Sequence, residues 1–237
     1  MDELDDLLLR RAPTARRPLL GLTVLVVEDS RFACEALRLL CLRSGARIRR
    51  ADSLEHAHKH LAIYRPSVII IDVGLPDGSG LALIEELNSA TPRIDVILGT
   101  SGDPGVATDT LTAGADGFLA KPIASIAEFQ SAILAHLPKD RQPPGPRILT
   151  DEVVTPDLVA FRDDLSHVIQ VIESEDGQHN LEYVTQFLGG VARSVDDPDL
   201  GRAVSALARD HQAGASTAGS LAALNSVVQS RLDASGF

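Results

Sequence analysis

Acidic side chains stand directly after two apolar runs of this sequence, where they could form one reactive site. Glu28 and Asp29 close the stretch VLVVED, and Asp72 closes the run VIIID. Three carboxylates at one edge of a sheet would repel each other unless a hard divalent cation lay among them. Mg²⁺ prefers a few carboxylates together with water and phosphate oxygens. These residues therefore predict a magnesium site that handles a phosphoryl group.

A carboxylate, an ammonium and a hydroxyl have distinct tasks in such a site. An oxygen of Asp72 can attack an incoming phosphoryl group and form an acyl phosphate. Lys121 follows the run GFLA, and its ammonium would pair with a transferring oxygen. Thr100 follows the run VILG, and its hydroxyl could hydrogen-bond the bound phosphoryl group. We expect Asp72 to be the acceptor, with Lys121 and Thr100 as its catalytic partners.

Short apolar runs alternate with helical patterns over residues 20–137, which is typical of βαβ units. This alternation predicts an α/β domain with a doubly wound, five-stranded parallel sheet. In such a sheet, reactive groups collect at the carboxyl ends of the strands. Strands are expected at 23–27, 46–50, 68–71, 96–99 and 117–119, and helices at 31–43, 54–63, 80–88, 106–113 and 125–136.

A proline-rich connector follows this domain. Its sequence, PKDRQPPGPR, contains four prolines and one glycine and cannot continue a helix. Beyond it, apolar residues recur at helical spacing, which predicts helices near 156–173, 180–194, 200–212 and 216–232. The predicted organisation is a flexible arm at 1–19, the α/β domain at 20–137, the connector at 138–147 and an all-α domain at 148–237.

The chemical groups come in the order acidic pair, Asp, hydroxyl residue and Lys-Pro, each at the end of a successive strand. This order resembles the receiver domain of bacterial two-component response regulators. The turn LPDGSG after Asp72 and the stretch AGADGFLAKP match the family pattern at the corresponding places. The resemblance implies a sensor histidine kinase or a histidine phosphotransfer protein as the phosphoryl donor.

The resemblance also implies the ligands of the metal. They would be the carboxylates of Glu28, Asp29 and Asp72 together with the backbone carbonyl of Gly74. The peptide bond before Pro122 would be cis.

A phosphorylation switch is implied as well. Thr100 would bind the phosphoryl group, and Phe118 would be the aromatic residue that reorients with it. The loop after Thr100 is slightly shorter than in common members of the family. Ser101 therefore stays an alternative to Thr100 for the hydroxyl role.

Composition limits what the C-terminal domain can bind. The chain has a net charge of −11 and no Trp, and residues 148–237 contain five Arg, no Lys and fourteen acidic residues. Such a surface disfavours nucleic acid, and no apolar run is long enough to cross a membrane. We expect a cytoplasmic phosphoacceptor that is not an enzyme and whose acidic helices form a homodimer or bind a protein target.

Two other outputs stay open. A transcription regulator with an atypical DNA-binding domain would need a basic recognition helix. A helical phosphatase or phosphotransfer output would need a reactive side chain, for which His167 is the candidate. Because His167 has neither an acidic residue directly after it nor an H-x-x-K-G pattern, an ordinary helix residue is favoured.

Overall fold

The computed structural model describes residues 12–145, 150–173 and 180–234. The chain divides into two compact units, Met1–Asp29 with Ala36–Thr155, and Ser30–Glu35 with Pro156–Phe237. Residues 1–11 of the predicted arm and residues 146–149 around the end of the connector lie outside the described residues. The boundaries predicted for the arm, the connector and the two domains stay predictions.

The first unit is built on a five-stranded sheet in which every neighbouring pair is parallel. Its strands are β1 Thr23–Val27, β2 Arg47–Ala51, β3 Val68–Asp72, β6 Val96–Ser101 and β7 Gly117–Ala120. They lie in the order β2-β1-β3-β6-β7. A short antiparallel hairpin of β4 Gly74–Leu75 and β5 Gly78–Ser79 follows β3. The prediction of a five-stranded parallel α/β fold is confirmed.

Helices follow the strands and flank the sheet. They are α1 Arg31–Ser44, α2 Leu54–Ile63, α3 Gly80–Ser89, α4 Ala107–Thr112 and α5 Ile126–Leu134. The helix predicted at 106–113 is shorter than expected, because a 3₁₀ turn at Pro104–Val106 precedes it. The side chain of Asp103 accepts a hydrogen bond from the backbone of Gly105 and holds that turn.

Local sequence explains where the helices begin and end. The Ser53 hydroxyl caps α2 by accepting a hydrogen bond from the backbone of His56 at 3.3 Å. Asp77, in the turn between β4 and β5, accepts one hydrogen bond each from the backbones of Leu54 and Glu55, both at 2.9 Å. Gly45, directly after α1, has a φ of 88°, a conformation that favours glycine at the end of a helix.

The central strands are the core of the first unit. All five residues of β3 are buried, and so are all six of β6. A parallel strand covered on both faces is mostly apolar, which is why each of these strands begins in the sequence with a continuous apolar run.

The described part of the second unit is helical from Leu158 onward, as predicted. Its helices are α6 Leu158–Glu173, α7 Leu181–Ser194, α8 Pro198–Gln212 and α9 Ala218–Ala234. The apolar stripes of α6 and α7 are mostly buried in one core, together with Phe32 from the start of α1. Leu158, the first residue of α6, has the same helical spacing but is 64% exposed. Among the described residues, no helix is long and apolar enough to span a membrane.

Candidate functional site

The parallel register brings the predicted residues to one edge of the sheet. Asp72 is the last residue of β3, the middle strand, and pairs in register with Thr100 on β6. Glu28 and Asp29 follow β1 on the other side of β3. The backbone of Glu28 donates a hydrogen bond to the carbonyl of Ala51 at 2.8 Å, which extends the β1–β2 pairing to the site.

Three carboxylates converge at this edge. Glu28, Asp29 and Asp72 each place one oxygen within 4.8 Å of the others. Glu28 and Asp72 are buried, and Asp29 is half-buried. Within the described residues, this is the one group of three such side chains that could hold a metal ion. The donor set consists of oxygens alone, which suits a hard divalent cation.

Lys121 bridges two of these carboxylates. Its Nζ atom lies 2.6 Å from Oδ2 of Asp72 and 2.6 Å from Oε2 of Glu28, and its side chain is 8% exposed. Burial alone would lower the pKa of this ammonium, but the charges of Asp72 and Glu28 outweigh burial and raise the pKa above its ordinary value. Lys121 therefore stays protonated. The peptide bond between Lys121 and Pro122 is cis, as predicted.

Glu28 is the most deeply buried acid of the cluster. Burial raises the pKa of its carboxyl well above the ordinary value; Asp72 and Asp29 act in the same direction, while the Lys121 charge opposes them. A cation among the carboxylates would favour the ionised form of Glu28. The electrostatics of the site are thus suited to a bound positive charge.

The loop after Asp72 is tightly packed. Oδ1 of Asp72 accepts a hydrogen bond from the backbone of Gly74 at 3.2 Å. The backbone of Gly80 donates to the carbonyl of Val73 at 2.9 Å. A Cβ atom on Gly80 would lie only 2.0 Å from the carbonyl oxygen of Asp72. Glycine at position 80 is therefore required for the close return of the chain to Asp72.

Both candidate switch hydroxyls are buried on β6, the strand that pairs with β3. The Thr100 hydroxyl donates a hydrogen bond to the carbonyl of Leu119 at 2.8 Å. The Ser101 hydroxyl accepts one from the backbone of Asp103 at 3.1 Å. Phe118 lies on β7 next to Gly99 in register and is half-buried. Thr100 is the register neighbour of Asp72, which favours it over Ser101 for the hydroxyl role.

The cap of α1 is made by the residue that directly follows Glu28 and Asp29. The Ser30 hydroxyl accepts the hydrogen bond from the backbone of Ala33 at 3.0 Å, so Ser30 caps α1. The two preceding acids belong to the carboxylate cluster.

His167 is not part of this constellation. It lies on α6 in the second unit, where its ring contacts Phe187 with 6.1 Å between centroids. Its Nε2 atom lies 3.4 Å from the Tyr183 hydroxyl. These contacts are those of an ordinary helix residue.

One buried acid was missed at the level of sequence. Asp164 of α6 is 1% exposed and accepts hydrogen bonds from residues 30–32 of the same unit. A signal was available, because Asp164 shares the helical spacing of Phe161, Leu165 and Val168, whose side chains are buried. An acid on an apolar stripe indicates a specific polar partner.

The similarity to known proteins lies in the N-terminal part of the chain. Residues 24–133 match the family model of the response regulator receiver domain. The KDP operon transcriptional regulatory protein KdpE of Escherichia coli (strain K12) is 32% identical over 138 residues, which cover 58% of this chain and 61% of KdpE. The virulence transcriptional regulatory protein PhoP of Salmonella typhimurium (strain 14028s) is 32% identical over 100 residues, covering 42% of this chain and 45% of PhoP.

A solved structure is similar over about the same portion. It is the signal receiver domain of a signal transduction histidine kinase from Syntrophus aciditrophicus, with 25% identity and a TM-score of 0.46. The alignment covers 54% of this chain and 99% of that domain. The chain spans less than two thirds of the length of KdpE and of PhoP.

Proposed function

We propose that this chain is a phosphorylation-controlled signalling protein with Asp72 as its phosphoryl acceptor, because residues 24–133 match the family model of the response regulator receiver domain. The observation that carries the proposal is the Asp72 carboxylate held by Lys121 within a cluster of two further acids. The proposed donor is a sensor histidine kinase or a histidine phosphotransfer protein.

The chain's own side chains account for the transfer. An oxygen of Asp72 forms a bond to phosphorus while the bond from phosphorus to the donor atom breaks, and the leaving group keeps the electron pair. The Lys121 ammonium, already beside Asp72, pairs with a phosphoryl oxygen. The Thr100 hydroxyl donates a hydrogen bond to the phosphoryl group once its hydrogen bond to the carbonyl of Leu119 is broken. In this scheme the protein is an acceptor and not an enzyme with a separate substrate.

Magnesium is the cofactor that this cluster favours. We propose Glu28, Asp29 and Asp72 as its side-chain ligands and the carbonyl of Gly74 as a backbone ligand. Three carboxylates beside one ammonium leave excess negative charge, which a hard divalent cation offsets. Bound Mg²⁺ would neutralise charge on the transferring phosphoryl oxygens.

For the output, we propose protein contact through the helices of the second unit, either in a homodimer or with a protein target. The acidic composition of residues 148–237 supports this choice, since it opposes binding to phosphate backbones. A second candidate is transcription regulation, because KdpE and PhoP are both transcriptional regulatory proteins.

Phosphorylation by a small donor tests the acceptor. The full chain is incubated with acetyl phosphate and Mg²⁺, and intact mass is measured. Wild type should gain the mass of one phosphoryl group, Asp72→Asn should gain none, and chelation of Mg²⁺ should prevent the gain. Asp77→Asn, in the same loop, is the matched control and should be modified like wild type. Full modification of Asp72→Asn would refute the assignment.

Mass measurement in solution tests the output. Light scattering is recorded with and without beryllofluoride and Mg²⁺, using Asp72→Asn as the control. A mass change confined to wild type supports a phosphorylation-dependent oligomer. A gel shift of genomic DNA fragments that requires Asp72 would instead support transcription regulation.

A further inference from the structure

Strand β2 is a positively charged edge of the sheet in the first unit. It stands first in the strand order, so within the described residues it has a neighbouring strand on one side alone. Its sequence is RIRRA, and Arg47, Arg49 and Arg50 are all exposed. None of the three forms an ion pair with an acid that the structure describes. In a chain with a net charge of −11, this strand is a local exception.

The outer side of β2 is defined by its backbone hydrogen bonds. Backbone groups of Arg47 and Ala51 bond to the residues that flank β1, at 2.9 and 2.8 Å. In a parallel pair, alternate residues of a strand bond to the same neighbour. The backbone groups of Ile48 and Arg50 therefore face away from β1.

Both outward carbonyls already accept hydrogen bonds from side chains. The Arg49 guanidinium donates to the carbonyl of Ile48 at 3.2 Å, and Nε2 of His60 donates to the carbonyl of Arg50 at 3.1 Å. A further strand would need both donors and acceptors along this edge. What this edge offers is the two outward N–H groups and the guanidinium groups, which only donate. Such a surface fits carboxylates better than another strand.

The last turn of α2 adds an exposed apolar side chain. The hydrogen bond from His60 to Arg50 brings this turn alongside β2. Ile63 ends the helix and is 82% exposed. Apolar contacts with a polar rim are typical of protein interfaces, whereas a nucleic acid backbone would use the charges alone. The combination favours a protein segment that carries both acids and apolar residues.

One stretch of this chain has that composition. Residues 2–9 have the sequence DELDDLLL, which contains four acids and four leucines. Its charge is opposite to that of β2, and its leucines could contact an exposed isoleucine.

The chain before β1 begins beside the same edge. Leu19 donates from its backbone to the carbonyl of Ser44 at 3.0 Å. A Cβ atom on Gly45 would lie 2.9 Å from the Cβ atom of Arg17, so Arg17 lies against the turn that leads into β2. Residues 7–16 could span about 33 Å when extended, and a strand of five residues is about 17 Å long. Residues 2–9 can therefore reach all of β2.

We propose that the outer edge of β2 and Ile63 form a docking surface for the acidic, leucine-rich stretch at residues 2–9 of the same chain. Carboxylates of this stretch accept hydrogen bonds from Arg47, Arg50 and the outward N–H groups, and its leucines contact Ile63. The contact needs neither magnesium nor a phosphoryl group, so it goes beyond the proposed function.

Hydrogen exchange of the full chain, measured by NMR, tests the contact. An acid-neutral variant leaves β2 unchanged and carries the substitutions D2N, E3Q, D5N and D6N. At low salt, the backbone amides of Ile48 and Arg50 should exchange more slowly in wild type than in this variant, and high salt should remove the difference. Equal exchange at low salt would overturn the inference. Protection that increases with protein concentration would place the stretch on a second copy and overturn the same-chain assignment.

Peptide binding tests the residues of the surface. A fluorescein-labelled peptide of residues 1–10 is titrated into the acid-neutral variant and followed by fluorescence anisotropy. Adding Arg47→Ser and Arg50→Ser should raise the dissociation constant about tenfold or more, and Ile63→Ser should also raise it. The matched control, Lys139→Ser with Arg209→Ser, removes the same charge from exposed residues outside β2 and should leave the constant unchanged.

Two results of the titration would contradict the proposal. One is an unchanged affinity in the arginine variant, with circular dichroism showing that its fold is intact. The other is tighter binding of a single-stranded DNA of similar length than of the peptide, lost in the arginine variant, which would assign the surface to phosphate backbones.

Discussion

The Nζ atom of Lys121 lies 2.6 Å from Oδ2 of Asp72, and the same ammonium lies 2.6 Å from Oε2 of Glu28. Lys121 therefore occupies a position between two carboxylates that would otherwise face each other in a buried site. The ammonium would compete with a divalent cation for the same carboxylate oxygens and so weaken metal binding. It would also assist phosphoryl transfer to Asp72.

Replacing Lys121 should separate these two effects. In Lys121→Met, Mg²⁺ should bind more tightly, because a competing positive charge is gone, while phosphorylation from acetyl phosphate should slow about a hundredfold. Titration calorimetry and the rate of mass gain measure the two quantities. Lys139→Met, at an exposed lysine of the same unit, is the control and should change neither. A faster phosphorylation of Lys121→Met would contradict the role assigned to the ammonium.

The two hydroxyls beside the acceptor can be told apart by substitution. Thr100→Val keeps the shape of the side chain and removes the hydrogen bond to Leu119, whereas Ser101→Ala removes the bond from Asp103. We expect both variants to be phosphorylated. The beryllofluoride-induced change in backbone NMR shifts around Phe118 should be lost in Thr100→Val alone. Loss in Ser101→Ala alone would assign the switch to Ser101.

Two glycines should respond in opposite ways to alanine. Gly80→Ala places a Cβ atom 2.0 Å from the Asp72 carbonyl oxygen, so the backbone has to move, and we expect a loss of about 1–3 kcal/mol in the free energy of unfolding. Gly190→Ala, on α7, meets nothing within 4 Å and should stabilise its helix by up to about 1 kcal/mol. Urea unfolding followed by circular dichroism measures both. An unchanged free energy of unfolding in Gly80→Ala would show that the loop after Asp72 relaxes freely.

The pair Asp197–Arg231 predicts a pH dependence of the second unit's stability. Nε of Arg231 donates to Oδ2 of Asp197 at 2.6 Å, and this hydrogen bond is the main reason why the pKa of Asp197 is lowered. A lowered native pKa contributes stability above the unfolded pKa, and this contribution is lost as pH falls through the native pKa.

Asp197→Asn isolates that charge, because the amide keeps an acceptor oxygen for the backbone of Leu200 at the start of α8. The variant should be less stable than wild type near neutral pH, by about 1 kcal/mol or less for a partly exposed pair. The difference should shrink to zero in acid, where the wild-type carboxyl is protonated. Urea unfolding at a series of pH values checks the sign, and a constant difference would rule out the ion pair as its cause.

The two cysteines should be unreactive in the folded protein. Cys34 and Cys41 are buried, and burial raises the pKa of Cys41 to about 12. The thiolate is the reactive form, so at about pH 8 we expect almost no reaction with Ellman's reagent. The same protein in denaturant should show both thiols, which is the control. Rapid reaction of the native protein would indicate opening of the region around α1.

The fold and the carboxylate site followed from the order of residues along the chain. Buried parallel strands are mostly apolar, and the polar residues at their carboxyl ends meet at one edge of the sheet. Glu28, Asp72 and Lys121 could therefore be assigned to one place before any distance was known. Helix ends did not follow from the order of residues in the same way. The 3₁₀ turn before α4 depends on a hydrogen bond within that turn. Leu158 is exposed because it is the first residue of α6.

The contacts of Asp164 could not be derived in the same way. Its spacing on α6 shows that it belongs to a buried face, but Ser30 stands 134 positions earlier in the chain. No local rule joins residues so far apart, because their meeting depends on how helices pack. The meeting of the three carboxylates and Lys121 follows from strand order, whereas the side chain that holds the first turn of α1 is known only from tertiary packing.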